Sequence, residues 1–278
     1  MNRIPAFEPG DGIIEVEPGV ITARVMETAE AAGWFYPPDP NSWETCTIGG
    51  NVAENAGGPR ALKYGVTRDY VLGLEAVLPD GEVIRTGRRT VKGVAGYDLT
   101  ALLVGSEGTL AVITAITLRL LPLPRQVRTA LCVFPDAVRA GAAVNAILAA
   151  GILPRTLELF DGPAIAAAGA RGPFRFPPGA GAALLAETDG DDPEAVMGAL
   201  VRLGEIATAN GAAEVLVAQS ESQRRDLWAT RRQVSLALKA LYPRKISEDV
   251  VLPRSKIPEA IERFQAIGRA HGLQVATY

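Results

Sequence analysis

Histidine is almost absent from this sequence of 278 residues, and its scarcity excludes several kinds of site. His271 is the single histidine, so a centre that needs two or three imidazoles cannot be built from these residues. A Ser-His-Asp triad would depend on that one residue near the C-terminal end, and we do not predict one. We expect His271 to be an ordinary exposed residue near the C-terminus of a helix.

Cysteine and net charge are also low. Cys46 and Cys132 lie far apart without a CxxC pair, which excludes a disulfide scaffold and favours a reducing cytosol. A net charge of −3 argues against a nucleic-acid or anionic-membrane binder. The sequence has no apolar run of about 18 residues and no N-terminal apolar h-region. We therefore predict a cytoplasmic protein without a transmembrane segment, which reaches the inner membrane only through a partner if at all.

The residues that are present, 48% hydrophobic and 21% charged, are typical of a globular protein with one or two domains. Leu-Pro-Leu-Pro at 121–124 predicts a boundary, which gives domains 1–124 and 125–278. Apolar periodicity predicts the elements of both domains. In the first domain they are strands at 13–17, 71–78, 82–85 and 109–121 and a helix at 22–32. In the second they are strands at 129–134, 156–160, 182–188 and 214–217, helices at 136–150, 193–210, 221–241 and 257–270, and a loop at 169–181.

Two β-α-β units follow each other in the second domain, and this repeat predicts a ferredoxin-like α+β layer. The first domain instead contains a long aperiodic stretch, 36–65, which is rich in Pro, Gly and Asn. Such a stretch inside a compact domain is usually functional or disordered, and its interior apolar residues favour a packed one.

Two Gly-Gly pairs, at 49–50 and 57–58, are the strongest local signal. Glycine lets backbone amides approach a bound group closely, which favours an anion or dipole site. A glycine-rich surface loop with Asx-turns explains the same composition. Neither a Rossmann GxGxxG nor a P-loop is present.

A wider set of motifs in the first domain resembles the FAD-linked oxidases of the vanillyl-alcohol oxidase type, among them the D subunit of glycolate oxidase and the D-lactate and D-2-hydroxyglutarate dehydrogenases. The motifs are PPDP at 37–40, TCTIGGNVAENAGG at 45–58, KYGVTRDY at 63–70, AGYDL at 95–99, GSEGTL at 105–110 and VIT at 112–114. The resemblance implies an α+β fold, with the second part of a PCMH-type FAD-binding domain followed by a ferredoxin-like α+β cap domain.

The resemblance also implies FAD as cofactor and assigns residues to it. Residues that would wrap the diphosphate and the flavin ring are Pro38, Asp39, Thr45, Cys46, Gly49, Gly50, Asn51, Glu54, Gly57, Gly58, Tyr64 and Gly65. Residues that would lie beside the adenine are Gly108, Val112 and Ile113. Cys46 is expected to be a small packed residue of the loop and not a nucleophile or a covalent flavin link.

In the second domain, LWATRR at 227–232 resembles the LWxxR helix of the family, whose arginine faces the substrate carboxylate. The match selects Arg231, and a guanidinium suits a bidentate pair with a carboxylate. A basic patch on a solvated helix face is the alternative, with members Arg224, Arg225, Arg231 and Arg232. Lys245 and Glu248 are weaker candidates for the same pocket.

Two family motifs have no counterpart in this sequence. Nothing before Ile13 resembles the RGxGTxxxG loop that cradles the FAD pyrophosphate, and no GHxGDGNxH segment with its histidines follows Val275. The sequence therefore predicts an FAD domain without its N-terminal pyrophosphate-loop unit and a cap domain without its C-terminal end. No metal ligands are predicted.

The function implied by the resemblance is FAD-dependent oxidation of a D-2-hydroxy acid, of the glycolate or D-lactate type, by hydride transfer to flavin N5. Electrons would pass to a partner such as an iron–sulfur subunit, and both homo- and hetero-oligomers remain open. The alternative is a non-catalytic fragment, or an accessory FAD-domain subunit that needs a second chain.

Overall fold

The computed structural model describes residues 1–90 and 92–278, which form two compact units, Met1–Pro124 and Arg125–Tyr278. The strands of the first unit are β1 (Ala6–Glu8), β2 (Ile13–Val16), β3 (Trp34–Phe35), β4 (Val71–Val77), β5 (Val83–Gly87), β6 (Val112–Arg119) and β7 (Leu121–Pro122). Its helices are α1 (Thr22–Glu30), α2 (Ile48–Glu54), α3 (Ala61–Tyr64), a 3₁₀ turn (Thr67–Tyr70) and α4 (Leu99–Leu103).

The main sheet of the first unit has the strand order β1-β2-β6-β4-β5, and all of its neighbouring pairs are antiparallel. Ile14 of β2 is paired with Leu118 of β6, and both side chains are fully buried. Alternating residues of a strand point to opposite faces, so this register directs one apolar row of each strand into the core. Ile48 and Val52 of α2 belong to that same core.

The aperiodic stretch 36–65 contains two short helices, α2 and α3, that hydrophobic periodicity did not predict. Thr47 begins α2, because its side chain accepts a hydrogen bond from the N–H of Gly50. Two of the first three residues of α2 are glycines, which have a low helix propensity, so the sequence pattern does not predict this helix. The helix ends at Asn55, which adopts the left-handed conformation that Asn tolerates.

The second unit contains strands β8 (Gln126–Phe134), β9 (Thr156–Asp161), β10 (Ala182–Gly190) and β11 (Glu214–Val217). Its helices are α5 (Ala137–Ala149), α6 (Gly162–Arg171), α7 (Pro193–Ala209), α8 (Glu221–Leu241), a 3₁₀ turn (Arg254–Lys256) and α9 (Ile257–His271). The sheet order is β11-β8-β10-β9, with all neighbours antiparallel. This order, with α5 after β8 and α7 after β10, is ferredoxin-like and confirms the predicted fold of this region.

Helices cover both faces of that sheet. Ala183 and Leu185 of β10 lie in a core with residues of α6 and α8, whereas the alternate residues Ala182 and Leu184 lie in a core with residues of α5 and α7. A strand buried on both faces is apolar at consecutive positions, and this explains why β10 begins with an unbroken apolar run.

The predicted loop at 169–181 is wrong at its start, because α6 extends to Arg171. The side chain of Asp161 begins α6 by accepting a hydrogen bond from the N–H of Ala164. Gly169 suggested a loop but lies inside the helix, where an added Cβ would lie 3.4 Å from the ring of Phe176. This is an ordinary van der Waals distance, so the ring of Phe176 packs against the helix at this position.

Candidate functional site

Helix α2 and the residues before it are fixed to the first unit by backbone hydrogen bonds. The N–H of Ile48 donates to the carbonyl of Val20 at 2.8 Å, and the N–H of Gly49 donates to the carbonyl of Pro18 at the same distance. The side chain of Asn51 is buried and donates to the hydroxyl of Thr22 at 2.7 Å. Each N–H of the first helical turn is therefore already bonded within the unit, and α2 offers no free anion site at its N-terminus.

Two of the four paired glycines are required by contacts inside the unit. A Cβ on Gly49 would lie 2.5 Å from the side chain of Pro18, and a Cβ on Gly58 would lie 2.2 Å from the carbonyl oxygen of Asp39. Gly50 differs, because it is exposed and an added Cβ would approach only the hydroxyl of Thr47, at 3.4 Å. Close packing thus explains Gly49 and Gly58 but leaves Gly50 facing open space.

The turn 105–108 lies beside α2, although it is distant in sequence. The N–H of Gly105 donates to the carbonyl of Val52 at 2.9 Å, and the N–H of Glu107 donates to the carbonyl of Ala53 at 3.0 Å. Glu107 and Gly108 both have positive φ, with values of 52° and 71°. The structure therefore brings two of the predicted segments, 45–58 and 105–108, to the same place.

Further predicted residues of the first unit contact neighbours that were not assigned to the cofactor. The carboxylate of Asp39 accepts a hydrogen bond from the N–H of Arg60 at 3.0 Å and pairs with its guanidinium at 3.2 Å. The carbonyl of Tyr64 accepts a hydrogen bond from the hydroxyl of Tyr70, and a Cβ on Gly65 would meet the carboxylate of Asp69. These contacts connect the two ends of 39–60 and attach Tyr64 and Gly65 to the 3₁₀ turn that follows them.

The predicted residues of the first unit differ in their access to solvent. Pro38 and Asn51 are buried, so their side chains serve the interior of the unit. The partly exposed residues are Asp39, Cys46, Gly49, Gly58, Tyr64, Gly65 and Ile113. The exposed ones are Thr45, Gly50, Glu54, Gly57, Gly108 and Val112. The sulfur of Cys46 lies 3.2 Å from the hydroxyl of Thr22.

Arg231 of α8 is a buried, paired cation of the second unit. It is 8% exposed, its Nε donates to Oε2 of Glu158 at 2.8 Å, and Nη2 lies 2.6 Å from the same oxygen. Its Cζ lies 5.7 Å from the ring centroid of Phe160 and 5.6 Å from that of Tyr278. Among the residues that the structure describes, Nη1 has no hydrogen-bond partner, and it is not sealed from solvent. We call Arg231, Glu158, Phe160, Tyr278 and Lys245 the arginine cluster.

The alternative of a basic patch on a solvated helix face holds for only some of the arginines of α8. Arg225 and Arg232 are exposed, whereas Arg231 is buried and Arg224 is half-buried in a network around Glu187. Arg231 is thus an ordered, paired guanidinium and not a member of a solvated patch. Sequence reasoning selected Arg231 but missed its partners Glu158, Phe160 and Tyr278, which come from β9 and from the end of the chain.

Glu187 of β10 fixes α8 to the sheet. Its carboxylate accepts hydrogen bonds from the indole of Trp228 at 2.7 Å, from the hydroxyl of Thr129 at 2.8 Å and from Arg224 at 3.1 Å. It also lies 3.6 Å from Arg155, which is itself buried. Trp228 precedes Arg231 by about one helical turn, so this anchor determines where the guanidinium lies. The alternation of β10 could have indicated Glu187, since it shares a sheet face with Ala183 and Leu185.

Lys245 belongs to the arginine cluster, and Glu248 does not. The Nζ of Lys245 donates to the hydroxyls of Ser235 at 2.9 Å and of Tyr278 at 2.8 Å. Glu248 is exposed, and its side chain has no bond within the residues described.

His271 is the last residue of α9 and is exposed, as expected. In the described part of the chain, three or more metal-binding side chains come together nowhere, and no helix is long and apolar enough to cross a bilayer.

Two family models match this chain. The C-terminal domain of FAD linked oxidases matches residues 123–278, more than half of the sequence, and an FAD binding domain matches residues 1–87. The chain belongs to the FAD-linked oxidases. The match confirms the predicted family, the FAD cofactor and the two-part fold. Gly108, Val112 and Ile113 lie between the two matched regions.

Curated relatives of this FAD-linked oxidase are longer than the chain itself. The glycolate oxidase subunit GlcD of Bacillus subtilis is 41% identical over the whole chain, which spans 59% of that relative. GlcD of Escherichia coli is 38% identical over 94% of the chain and 52% of the relative. The D-lactate dehydrogenase of Anaerostipes hadrus is 35% identical over the whole chain and 60% of the relative. The chain therefore spans little more than half of the proteins it resembles.

Solved structures show the same fold at low sequence identity. The structure of an alkyldihydroxyacetonephosphate synthase superposes on 97% of the present chain, and the match covers 55% of the synthase. The TM-score is 0.78 and the sequence identity is 19%. The structure of a p-cresol methylhydroxylase superposes on 86% of the present chain, and the match covers 53% of the hydroxylase. The TM-score is 0.66 and the sequence identity is 17%.

The loop residues of this FAD-linked oxidase fit a dinucleotide cofactor. The N–H groups of Gly57 and Gly58 donate to no acceptor among the described residues, and Gly57 is exposed. Gly50 and Gly108 are exposed where an added side chain would project outward. Uncharged N–H donors and open glycines suit a diphosphate and a flat ring, which need close approach of the backbone.

Proposed function

We propose that the chain is an FAD-dependent oxidoreductase for a D-2-hydroxy acid of the glycolate or D-lactate type. The arginine cluster is the observation that carries the proposal. The buried guanidinium of Arg231 lies near the rings of Phe160 and Tyr278 and pairs with Glu158 through Nε and Nη2, whereas Nη1 stays available. Relatives named glycolate oxidase subunit and D-lactate dehydrogenase support this substrate class. Bound FAD would supply the acceptor of the hydride that leaves the substrate Cα, at flavin N5.

Arg231 would hold the substrate carboxylate. A guanidinium offers several N–H donors in a planar fork, which matches the geometry of a carboxylate. Glu158 occupies the edge formed by Nε and Nη2, so the substrate would bind on the side of Nη1. Loss of the hydride and of the hydroxyl proton converts the 2-hydroxy acid into a 2-oxo acid, and the proton would pass to a base that is not among the assigned residues.

The first unit would supply the contacts to FAD. We assign FAD contacts to the accessible residues of the loop, with the diphosphate near the free N–H groups of Gly57 and Gly58. Gly50 would allow close approach, and Gly108 and Val112 would lie toward the adenine. Pro38 and Asn51 would act from the interior, because they shape the loop and do not face solvent. Asp39 would act in the same way, through its bond with Arg60.

The electrons would pass to a partner subunit, for which an iron–sulfur protein is our proposal. The relatives from B. subtilis and E. coli are named as subunits, which supports an assembly of more than one chain. We propose a cytoplasmic location.

Anaerobic reduction of the FAD-loaded chain tests this function. Addition of glycolate or D-lactate should bleach the flavin absorbance, and L-lactate should bleach it more slowly. The Arg231→Met variant should bind FAD but bleach poorly, because it lacks the carboxylate partner. A chain that binds FAD and is reduced by none of these acids would contradict the substrate class. A chain that cannot be loaded with FAD would favour the accessory role.

A further inference from the structure

Tyr278 contacts both cations of the arginine cluster with one ring. The Cζ of Arg231 lies 5.6 Å from the ring centroid, and the Nζ of Lys245 lies 5.4 Å from it. The Nζ of Lys245 also donates a hydrogen bond to the phenol oxygen at 2.8 Å. Two cations near one aromatic ring repel each other, and the negative face of the ring offsets part of this cost. A movement of the ring would therefore displace both cations.

The backbone next to Tyr278 is held by Asp161. The N–H of Thr277 donates to the carboxylate of Asp161 at 2.8 Å, and the N–H of Asp161 donates to the carbonyl of Thr277 at 3.0 Å. The other carboxylate oxygen accepts the N–H of Ala164 at the start of α6. Asp161 thus couples the end of β9, the start of α6 and the residue before Tyr278, which makes the ring position a property of the fold.

The charges of the arginine cluster do not cancel. Arg231 and Lys245 are two cations, and Glu158 is the one carboxylate that contacts either of them among the described residues. Tyr278 is 38% exposed, and the pKa of its phenol is below the ordinary value for tyrosine. Burial alone would raise this pKa, but hydrogen bonds with Lys245, Ser235 and Ser247 outweigh that effect. A monoanion would balance the remaining positive charge.

We propose that Tyr278 is a positioning residue that holds Arg231 and Lys245 together for a single carboxylate of the substrate. The inference rests on the proposed function. It predicts that the arginine cluster binds one carboxylate of the 2-hydroxy acid and no second one. Tyr278 acts through the two cations: its ring sets their separation, and its hydroxyl fixes the ammonium of Lys245.

Two substitutions separate the roles of the hydroxyl and the ring. Tyr278→Phe keeps the ring and removes the acceptor for Lys245. The apparent Kd for glycolate, taken from the concentration dependence of anaerobic flavin bleaching of the FAD-loaded chain, should therefore rise about tenfold, as for one hydrogen bond to a charged group. Tyr278→Leu removes both contacts and should raise the Kd further. KM should rise with the Kd while kcat changes little, because the reacting atoms are untouched.

Tyr242→Phe is the matched control. Tyr242 lies just after α8, and its hydroxyl has no partner within the described residues. This variant should bind glycolate as the wild type does. A second readout is the ultraviolet titration of the tyrosinate, taken as the difference between wild type and Tyr278→Phe. Lys245→Met should move that titration to higher pH, since the ammonium no longer stabilises the phenolate.

The results test the role of Tyr278 separately from the proposed function. Wild type that binds glycolate, with Tyr278→Phe and Tyr278→Leu binding equally well, would overturn the role of Tyr278 and leave the proposed function standing. Wild type that binds FAD but neither glycolate nor D-lactate would overturn the proposed function and this inference with it. Thermal unfolding of each variant identifies a folding defect. If Tyr278→Leu fails to fold, the ring-preserving Tyr278→Phe decides the matter.

Discussion

The glycine-rich loop of the first unit and the arginine cluster of the second differ in what holds them in place. Backbone hydrogen bonds and close glycine contacts fix the loop, as the bonds of Ile48 and Gly49 show. Charged and aromatic side chains fix the arginine cluster, in which Arg231 pairs with Glu158. The first arrangement suits a large cofactor, and the second suits a small anion. The two regions should therefore respond to different substitutions.

The largest effect on stability should come from the buried charges that hold α8. Glu187→Gln removes a carboxylate that is 2% exposed and leaves Arg155 and Arg224 without its charge. Breaking a buried ion pair costs about 3–5 kcal/mol, and we expect about 3 kcal/mol here because Asp189 still pairs with Arg155. Denaturant unfolding measures the difference. Glu221→Gln removes an exposed partner of Arg224 and should cost less than about 1 kcal/mol.

Two glycine substitutions should separate stability from cofactor binding in the loop. Gly58→Ala places a Cβ against the backbone of Asp39 and should lower the free energy of unfolding by about 1–3 kcal/mol. Gly50→Ala places a Cβ in open space on a helix and should leave stability unchanged or raise it by up to about 1 kcal/mol. Gly50→Ala should nevertheless weaken FAD binding, because the new methyl group projects toward the proposed cofactor. Equal FAD binding by Gly50→Ala and wild type would contradict that orientation of the loop.

Arg231→Lys tests whether the geometry of the guanidinium matters beyond its charge. Lysine keeps one positive charge but lacks the planar fork of parallel N–H groups with which a guanidinium pairs with a carboxylate. We expect glycolate to bind about tenfold more weakly, which corresponds to about 1.4 kcal/mol, with FAD binding unchanged. The concentration dependence of anaerobic flavin bleaching by glycolate and fluorescence titration with FAD provide the two values. A parallel loss of FAD affinity would show that the variant disturbs more than the anion site.

The smallest effect should be a pH dependence confined to the first unit. Hydrogen bonds from the side chain and backbone of Arg3 lower the pKa of Glu17 to about 2. A carboxyl with a depressed pKa stabilises the fold above its unfolded pKa of about 4.5, and this stabilisation is lost as the pH falls toward 2. The Tm advantage of wild type over Glu17→Gln should therefore shrink between these pH values. A constant advantage over that range would contradict the assignment.

The same contrast explains how much the sequence could predict. Most strands and most of the longer helices were predictable because periodicity is local: β11 and α8 have the predicted bounds. Strands β1 and β3 and helix α6 were not predicted. The loop was recognisable because its glycines and asparagine stand close together in sequence. Helix α2 was not predicted, since its glycines disfavour a helix and tertiary hydrogen bonds decide the outcome.

The arginine cluster was only partly predictable for a related reason. Arg231 lies in a recognisable helical motif, but Glu158 and Tyr278 come from positions far away along the chain. The antiparallel sheet places Glu158 beneath α8, and the bond between Asp161 and Thr277 brings Tyr278 to it. Neither residue has a local pattern that marks it as a partner. Such contacts follow from the fold and not from a motif.

Fluorescence titration of FAD with the purified chain tests the central claim most directly. The account predicts saturable quenching by wild type, the same affinity for Arg231→Lys, and a weaker affinity for Gly50→Ala. This pattern would place the cofactor on the loop and away from the arginine cluster. Absence of quenching by folded wild type, or a loss caused by Arg231→Lys and not by Gly50→Ala, would contradict the account.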